Sequence, residues 1–334
     1  MSAADPLLPP SPFTLDDARS IGLTPTQWRN PDLIRVTRGV KATAEIAEFE
    51  GQCRAFALAL PDDVAFSHLT AARLWGLPLP SWAEAAPGFD VMRNSGRAVI
   101  ERHECRGHRG LERRHCRTVR GLDLTSIADT LVDLAEVRRP QALSADDLVV
   151  LADAVLMRLA EQIEVRPGEE EWEAVARFDM ERGDGAPRLD RHDVLHRALD
   201  RRVRPRGAKR LRLALGLARV GSRSPMETRS RLLFVRRGFP EPELNATLTG
   251  PGGRLLEGDF VWRDQKVIGE YQGAHHGGRR QRSVDVARRD LAEDDGWRMV
   301  EFWAKDVHQA TRRRTFLRRL AGRLGLDLES LDLS

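Results

Sequence analysis

Two acidic residues interrupt a pair of strand-like runs in the last third of the chain. The runs flank a tight polar connection at Arg263–Gln265, which is the pattern of a β-hairpin. A turn centred on this connection pairs Trp262 with Val267 and, further from the turn, Asp259 with Glu270. The hairpin therefore predicts two carboxylates directly opposite each other, roughly 5 Å apart at Cβ.

Such a pair is suited to binding a divalent cation. Like charges at this separation repel each other, and a cation between them relieves the repulsion. Ligation by oxygen atoms alone favours Mg²⁺ or Mn²⁺. Gln272 lies two residues beyond Glu270 and therefore on the same face of the strand. The alternative is an ordinary solvated sheet face, on which polar residues alternate with apolar ones without any further role.

A capped helix and further elements surround the hairpin in the sequence. Ser224, Pro225 and Glu227 begin a helix with a capping-box arrangement. A strand follows near residues 244–248, and after the hairpin come a basic helix (279–295), a strand (298–303) and a closing helix (306–324). We predict that residues 206–324 form one domain.

The remaining sequence predicts three smaller regions. Two short helices and an edge hairpin at residues 12–45 outline a winged helix-turn-helix, although any small helical lid gives the same pattern. Residues 46–160 mix helices and short strands, as an α/β scaffold does. Residues 161–205 are acidic and punctuated by Gly and Pro, which is typical of a connector with a partial helix.

Composition limits the class of protein. The chain has 334 residues, more than one typical core, and no apolar run approaches the ~20 residues that cross a bilayer. Its start lacks a secretory signal and its three cysteines form no disulfide framework, so we expect a cytoplasmic protein without a membrane partner. Residues 201–334 hold 29 Lys and Arg against 17 Asp and Glu, a balance that attracts polyanions. Arginine-rich composition from a GC-rich genome is the alternative.

Four spaced pieces of the C-terminal third resemble a known nuclease group. They are PME at 225–227, GDFVW at 258–262, GEYQGAHH at 269–276 and DDGWRMV at 294–300. Together they are similar to the restriction-endonuclease-like modules related to very-short-patch-repair endonucleases, in the PD-(D/E)XK nuclease superfamily. FTLDDARSIGLT, LIRVTRGV, SHLTAARLWGL and LTSIADTLVDLA resemble, more loosely, the winged-helix and linker region of abortive-infection-type antitoxins from type IV toxin–antitoxin systems.

The nuclease resemblance implies roles for individual residues. Asp259 and Glu270 would ligate the metal, and Glu227 on the preceding helix would support it. In the superfamily a lysine commonly stands two positions after the second acid, where it positions the attacking water. This chain has Gln272 there, which can orient a water but supplies no positive charge.

Basic residues near the carboxylates are the candidates for assisting the reaction and holding a substrate. His275 and His276 would act as a general base or contact a phosphate, or they form a loop pair without a role. We expect Trp297 and Trp303 in the core. The predicted nucleic-acid contacts are Arg279, Arg280, Arg282, Arg312 and Arg313.

A second group of residues with metal-ligating side chains lies in the N-terminal half of the chain. Zinc accepts ligands of these types, but their spacing matches no standard zinc module, so we do not predict zinc. The residues are His103, Cys105, His108, His115 and Cys116.

The resemblances imply an α/β (mixed α+β) protein: a winged helix-turn-helix and scaffold, then a restriction-endonuclease-like mixed sheet flanked by helices. The implied function is a metal-dependent DNA endonuclease in DNA repair or phage defence, with Mg²⁺ or Mn²⁺ as cofactor and DNA as partner. The alternative is a catalytically weak or inactive nuclease fold that serves as a DNA-binding, antitoxin-like regulator. A third hypothesis is an interaction module in a phage-defence system, whose N-terminal scaffold holds a partner protein. Besides DNA, the expected partners are a second copy of the chain, in a homodimer, or a toxin–antitoxin or defence protein.

Overall fold

The computed structural model describes residues 8–138, 141–161, 191–249, 255–273 and 295–333. The chain divides into two units: the first comprises Met1–Leu143 and Asp193–Leu211, and the second comprises Ser144–His192 and Arg212–Ser334. The protein is of mixed α/β class, as predicted, because helices accompany sheets of mixed strand direction.

The first unit begins with two short helices joined to a three-stranded antiparallel sheet. Thr14 and Thr24 each accept a backbone N–H from the third helical residue, and the side chain of that residue accepts the N–H of the threonine, so each helix begins with a capping box. The helices are α1 (Leu15–Ser20) and α2 (Pro25–Trp28). The strands are β1 (Phe13–Thr14), β2 (Ile34–Thr37) and β3 (Val40–Ala42), in the order β1-β3-β2. These elements follow the predicted outline of residues 12–45.

A mixed five-stranded sheet forms the scaffold of the first unit, in the order β6-β5-β4-β8-β7. Its strands are β4 (Ala65–Phe66), β5 (Phe89–Arg93), β6 (Cys105–Arg109), β7 (Cys116–Val119) and β8 (Leu122–Thr125). Its helices are α3 (Phe49–Ala57), α4 (His68–Leu74), α5 (Ser81–Glu84) and α6 (Ile127–Glu136). Phe56, Phe66 and Leu124 are buried in its core.

Within the described residues, the helices that follow are α7 (Ala145–Glu161), α8 (Arg191–Asp200) and α9 (Ala208–Leu217). The helix α7, which the predicted boundaries assign to the scaffold, belongs to the second unit. Most of α8 and the start of α9 belong to the first unit, so the predicted connector contains a regular helix.

The first unit buries a network of charges. Asp129 and Asp133 on α6 are 0% exposed, and the Arg202 guanidinium lies 3.0 Å from the first carboxylate and 3.2 Å from the second. Arg114 adds a second contact to Asp133, at 2.8 Å. Because buried charges are tolerated only when paired, this network ties the segment after α8 to α6.

The second unit is built on a four-stranded mixed sheet in the order β12-β11-β10-β9. Its strands are β9 (Glu243–Thr249), β10 (Leu255–Trp262), β11 (Val267–Gln272) and β12 (Arg298–Trp303). The strands β9, β10 and β11 pair antiparallel, whereas β12 is parallel to β11. The predicted hairpin register is confirmed, because Trp262 pairs with Val267.

Helices cover one face of this sheet. They are α10 (Pro225–Arg236), α11 (Ala304–His308) and α12 (Ala310–Leu324). Phe234 of α10 and Leu317 of α12 pack with Phe260 and Phe302 of the sheet in one hydrophobic core, and we call this side the helix face. The closing helix is divided at Gln309, where the backbone is extended. No helix in the described ranges is long and apolar enough to cross a membrane.

Candidate active site

Glu270 is a buried acid in a central strand. It is 7% exposed, and it pairs in parallel register with Glu301 of β12. Ile268, two residues earlier, packs with Val261 and Met299 in a small apolar cluster on the side of the sheet opposite the helix face. Strand alternation places Glu270 and Glu301 on that side, which we call the acidic face. A carboxylate buried in this position is costly unless a hydrogen bond or an opposite charge compensates it.

The Asp259 side chain, in place of a backbone carbonyl, accepts a backbone hydrogen bond in the hairpin. Regular pairing of β10 with β11 ends at Phe260 and Gly269. Beyond that pair, Oδ2 of Asp259 accepts a hydrogen bond from the Tyr271 backbone N–H at 2.8 Å. Covalent geometry then keeps this oxygen within about 6 Å of the Glu270 Cα. We predicted a regular cross-strand pair of Asp259 with Glu270, and the structure instead has this hydrogen bond to the Asp259 side chain. The two acids are still neighbours.

Asn245 connects the predicted supporting residue Glu227 to the same row of the sheet. The ladder between β9 and β10 leaves Asn245 and Asp259 between two regular pairs. Asn245 has φ 46°, in the left-handed region, and its Nδ2 donates to Glu227 Oε2 at 2.6 Å and to the Gly221 carbonyl at 2.8 Å. Asparagine tolerates this backbone conformation better than most residues do. Its side chain also supplies the amide N–H that Glu227 accepts.

Glu227 itself is a buried acceptor at the start of α10. It is 8% exposed, and it also accepts the Arg223 backbone N–H at 2.8 Å and the Ser224 hydroxyl at 2.9 Å. The Ser224 hydroxyl in turn accepts the Glu227 backbone N–H, which confirms the predicted cap. Glu227 is therefore joined through Asn245 to β9, the strand that pairs with β10, and its supporting role in metal binding stays a prediction.

Gln272 and Trp303 end the two neighbouring strands of the acidic face. They pair in register, and Gln272 is partly exposed. Trp303 is 44% exposed, so our expectation that it is a core residue is wrong. Strand alternation explains this, because Phe302 beside it points into the helix-face core instead. Trp297 does pack against the small apolar cluster, as expected.

The other predicted contacts are divided between two places. His275, His276, Arg279, Arg280 and Arg282 lie outside the described residues. Arg312 and Arg313 belong to α12, which packs on the helix face, and Arg312 Nε donates to Asp306 at 3.1 Å. The two α12 arginines are thus on the side of the sheet opposite Glu270.

The described residues contain no group of three or more His, Cys, Asp or Glu side chains arranged to hold a metal ion. Asp259 and Glu270 nevertheless fit Mg²⁺, because this ion commonly takes only one or two protein carboxylates and completes its shell with water and substrate phosphate. The stretch at 103–116 holds the second group of residues with metal-ligating side chains. His108 stacks on His68, with ring centroids 3.7 Å apart, and its Nε2 lies 2.9 Å from an Asp90 oxygen. Burial lowers the pKa of His68 to about 4, so this ring is neutral at pH 7.

Sequence reasoning missed Asn245 and Glu301. Glu301 interrupts an apolar strand just as Glu270 does, so the same alternation pattern would have found it. Asn245 carries no comparable signal, because its role depends on a left-handed backbone and on a contact with a distant helix.

No family model matches the chain, and no solved structure matches it. The chain is similar to Uncharacterized protein MT2308 and Uncharacterized protein Rv2248, from two strains of Mycobacterium tuberculosis. It is 30% identical to each over 123 residues, which are 36% of this chain and 45% of each relative. The match thus spans less than half the length of these relatives, and their printed descriptions name no activity.

Proposed function

We propose that the second unit is a metal-dependent nuclease that hydrolyses phosphodiester bonds in DNA. Asp259 and Glu270 are its proposed ligands for Mg²⁺ or Mn²⁺. One observation supports this assignment above the others: the Asp259 carboxylate accepts a hydrogen bond from the peptide N–H of Tyr271, the residue that follows the buried Glu270. Two neighbouring carboxylates repel each other, and a divalent cation bound by both relieves this repulsion.

The protein groups have separate tasks in this proposal. The bond from Tyr271 N–H fixes the orientation of the Asp259 carboxylate, and the paired central strand β11 fixes the position of Glu270. A bound divalent cation would supply positive charge to a scissile phosphate and lower the pKa of a water molecule. Gln272 would orient that water through its side-chain amide. Because an amide has no positive charge, we expect slow turnover.

Glu227 and Asn245 join α10 to β9 next to the proposed metal ligands. Their 2.6 Å hydrogen bond joins the start of α10 to β9, beside Asp259. A catalytic carboxylate displaced by about 1 Å loses much of its effect. We therefore assign these two residues to positioning.

The test is cleavage of supercoiled, linear and mismatched DNA with Mg²⁺ or Mn²⁺ by the full-length protein. Asp259→Asn and Glu270→Gln remove one charge each and keep the size of the side chain. Asp264→Asn is the matched control, because Asp264 is an exposed acid in the turn of the same hairpin. We expect metal-dependent cleavage by the wild type and by the control, and none by the other two variants. Undiminished cleavage by Asp259→Asn would exclude the proposed site.

The second candidate function is a DNA-binding regulator of the antitoxin type with a nuclease fold that does not cut. Gln272, in place of a cation, is the observation that favours it. The basic second half of the chain and the helix-turn-helix outline of the first unit would then provide DNA affinity. Salt-sensitive binding by the wild type without cleavage under any metal would favour this function.

A further inference from the structure

Trp303 is an exposed aromatic residue at the end of an edge strand. Among the described residues it is the one aromatic side chain in the set of exposed large hydrophobic residues. Phe302 before it is buried at 1% exposure, and Lys305 after it is exposed. The helix-face core is therefore formed without the Trp303 indole, which faces solvent.

The position of Trp303 relates it to the proposed active site. Trp303 pairs with Gln272, and Glu301 pairs with Glu270, so all four residues lie on the acidic face. Trp303 is the diagonal neighbour of Glu270 across two adjacent strands, at roughly 8 Å between Cα atoms. A nucleotide next to a phosphate that a cation holds at Glu270 is therefore within reach of the indole.

Cationic side chains accompany Trp303 along the same edge. Arg319 NH2 donates to the backbone carbonyl of Glu301 at 2.7 Å, which fixes this guanidinium against β12. Lys305 follows Trp303 by two residues and is exposed. An aromatic side chain among cations is the composition of surfaces that bind single-stranded nucleic acid, since bases stack while phosphates are neutralised.

We infer that Trp303 is a stacking site for an unpaired nucleobase, so that the substrate of the second unit has single-stranded character beside the scissile phosphate. An intact duplex does not present the face of a base, because its bases are stacked on one another. A single strand, a frayed end or a mismatch does. This inference deepens the proposed nuclease function and rests on it, but the binding step can be measured separately.

The experiment measures binding of the full-length protein to a short fluorescent oligothymidylate by anisotropy, in EDTA. Removing divalent cations makes the result independent of cleavage, so loss of the nuclease proposal and loss of this inference are distinguishable. Trp303→Ala should weaken binding by about tenfold or more, because a base then loses its stacking partner. Trp303→Phe should retain most of the affinity, whereas affinity for a blunt duplex should be the same in all variants.

Leu328→Ala is the matched control, because Leu328 is a similarly exposed apolar residue of the same unit, at 45%. It should bind the oligothymidylate as the wild type does. Three results would overturn the inference: wild-type protein that does not bind the single strand, equal binding by Trp303→Ala, or Trp303→Phe as weak as Trp303→Ala. The last outcome would indicate that the indole serves another contact, such as one with a protein partner.

Discussion

Removal of the Glu227 carboxylate should destabilise the second unit strongly. It accepts three hydrogen bonds, at 2.6, 2.8 and 2.9 Å, and is almost fully buried. A hydrogen bond to a charged group contributes about 1.5–3 kcal/mol, and a buried donor left without a partner costs a similar amount. Because the three bonds share one carboxylate and are not additive, we expect Glu227→Ala to lower the free energy of unfolding by about 3–5 kcal/mol. Glu227→Gln keeps one acceptor oxygen and should lose about half as much.

The assay is urea unfolding combined with hydrogen exchange, since a chain with two units need not unfold in one transition. Exchange in the peptides that cover β9 and α10 reports the second unit. A double-mutant cycle with Asn245→Ala isolates the 2.6 Å contact, for which we expect a coupling energy of about 1.5–3 kcal/mol. A loss below about 1 kcal/mol for Glu227→Ala, or simple additivity in the cycle, would refute the reasoning.

Three other changes test separate parts of the structure. Asp259→Asn keeps an acceptor for the backbone N–H and should unfold within about 1 kcal/mol of the wild type, whereas Asp259→Ala should lose about 1–3 kcal/mol in the same urea assay. Asp133→Ala removes the 2.8 Å ion pair of Arg114 and one of the two carboxylate partners of the buried Arg202, and it should cost about 3–5 kcal/mol, measured as faster hydrogen exchange in α6. Burial lowers the pKa of His68 in the folded protein from the ordinary 6.5 to about 4. Between these pH values the unfolded chain therefore binds a proton at His68 that the folded protein does not bind. Stability of the first unit should therefore be complete above about pH 6.5 and fall by up to about 3 kcal/mol towards pH 4, and His68→Gln should flatten this pH profile.

Local chemistry in the sequence predicts much of the fold. Ser224 caps its helix because its side-chain oxygen accepts an N–H group that the start of a helix leaves without a partner. The hairpin at 255–272 follows from alternation and from its short polar turn, which together set the register. These features depend on residues close in sequence, and sequence reasoning finds them for that reason.

The missed features depend on contacts between distant residues. Among many arginines, Arg202 is buried because Asp129 and Asp133 meet it in the fold, and composition does not distinguish it. The break at Gln309 has neither Gly nor Pro to announce it. Trp303 is exposed although tryptophan is a hydrophobic residue. Its register with Gln272 puts it on the acidic face, away from the helix-face core.

The same distinction applies to the candidate site. The two acids and Gln272 are visible in the sequence as polar interruptions of apolar strands. Two hydrogen bonds require backbone geometry that residue types do not specify: the one from the Tyr271 N–H to Asp259 and the one from Asn245 to Glu227.

Binding of Mn²⁺ to the full-length protein is the measurement that tests the central claim most directly, because it needs no knowledge of the substrate. Titration calorimetry of the wild type should detect a divalent site that Glu270→Gln and Asp259→Asn each weaken by at least tenfold, while the turn variant Asp264→Asn leaves it unchanged. Equal affinity in the wild type and in Glu270→Gln would contradict the assignment of these carboxylates as metal ligands.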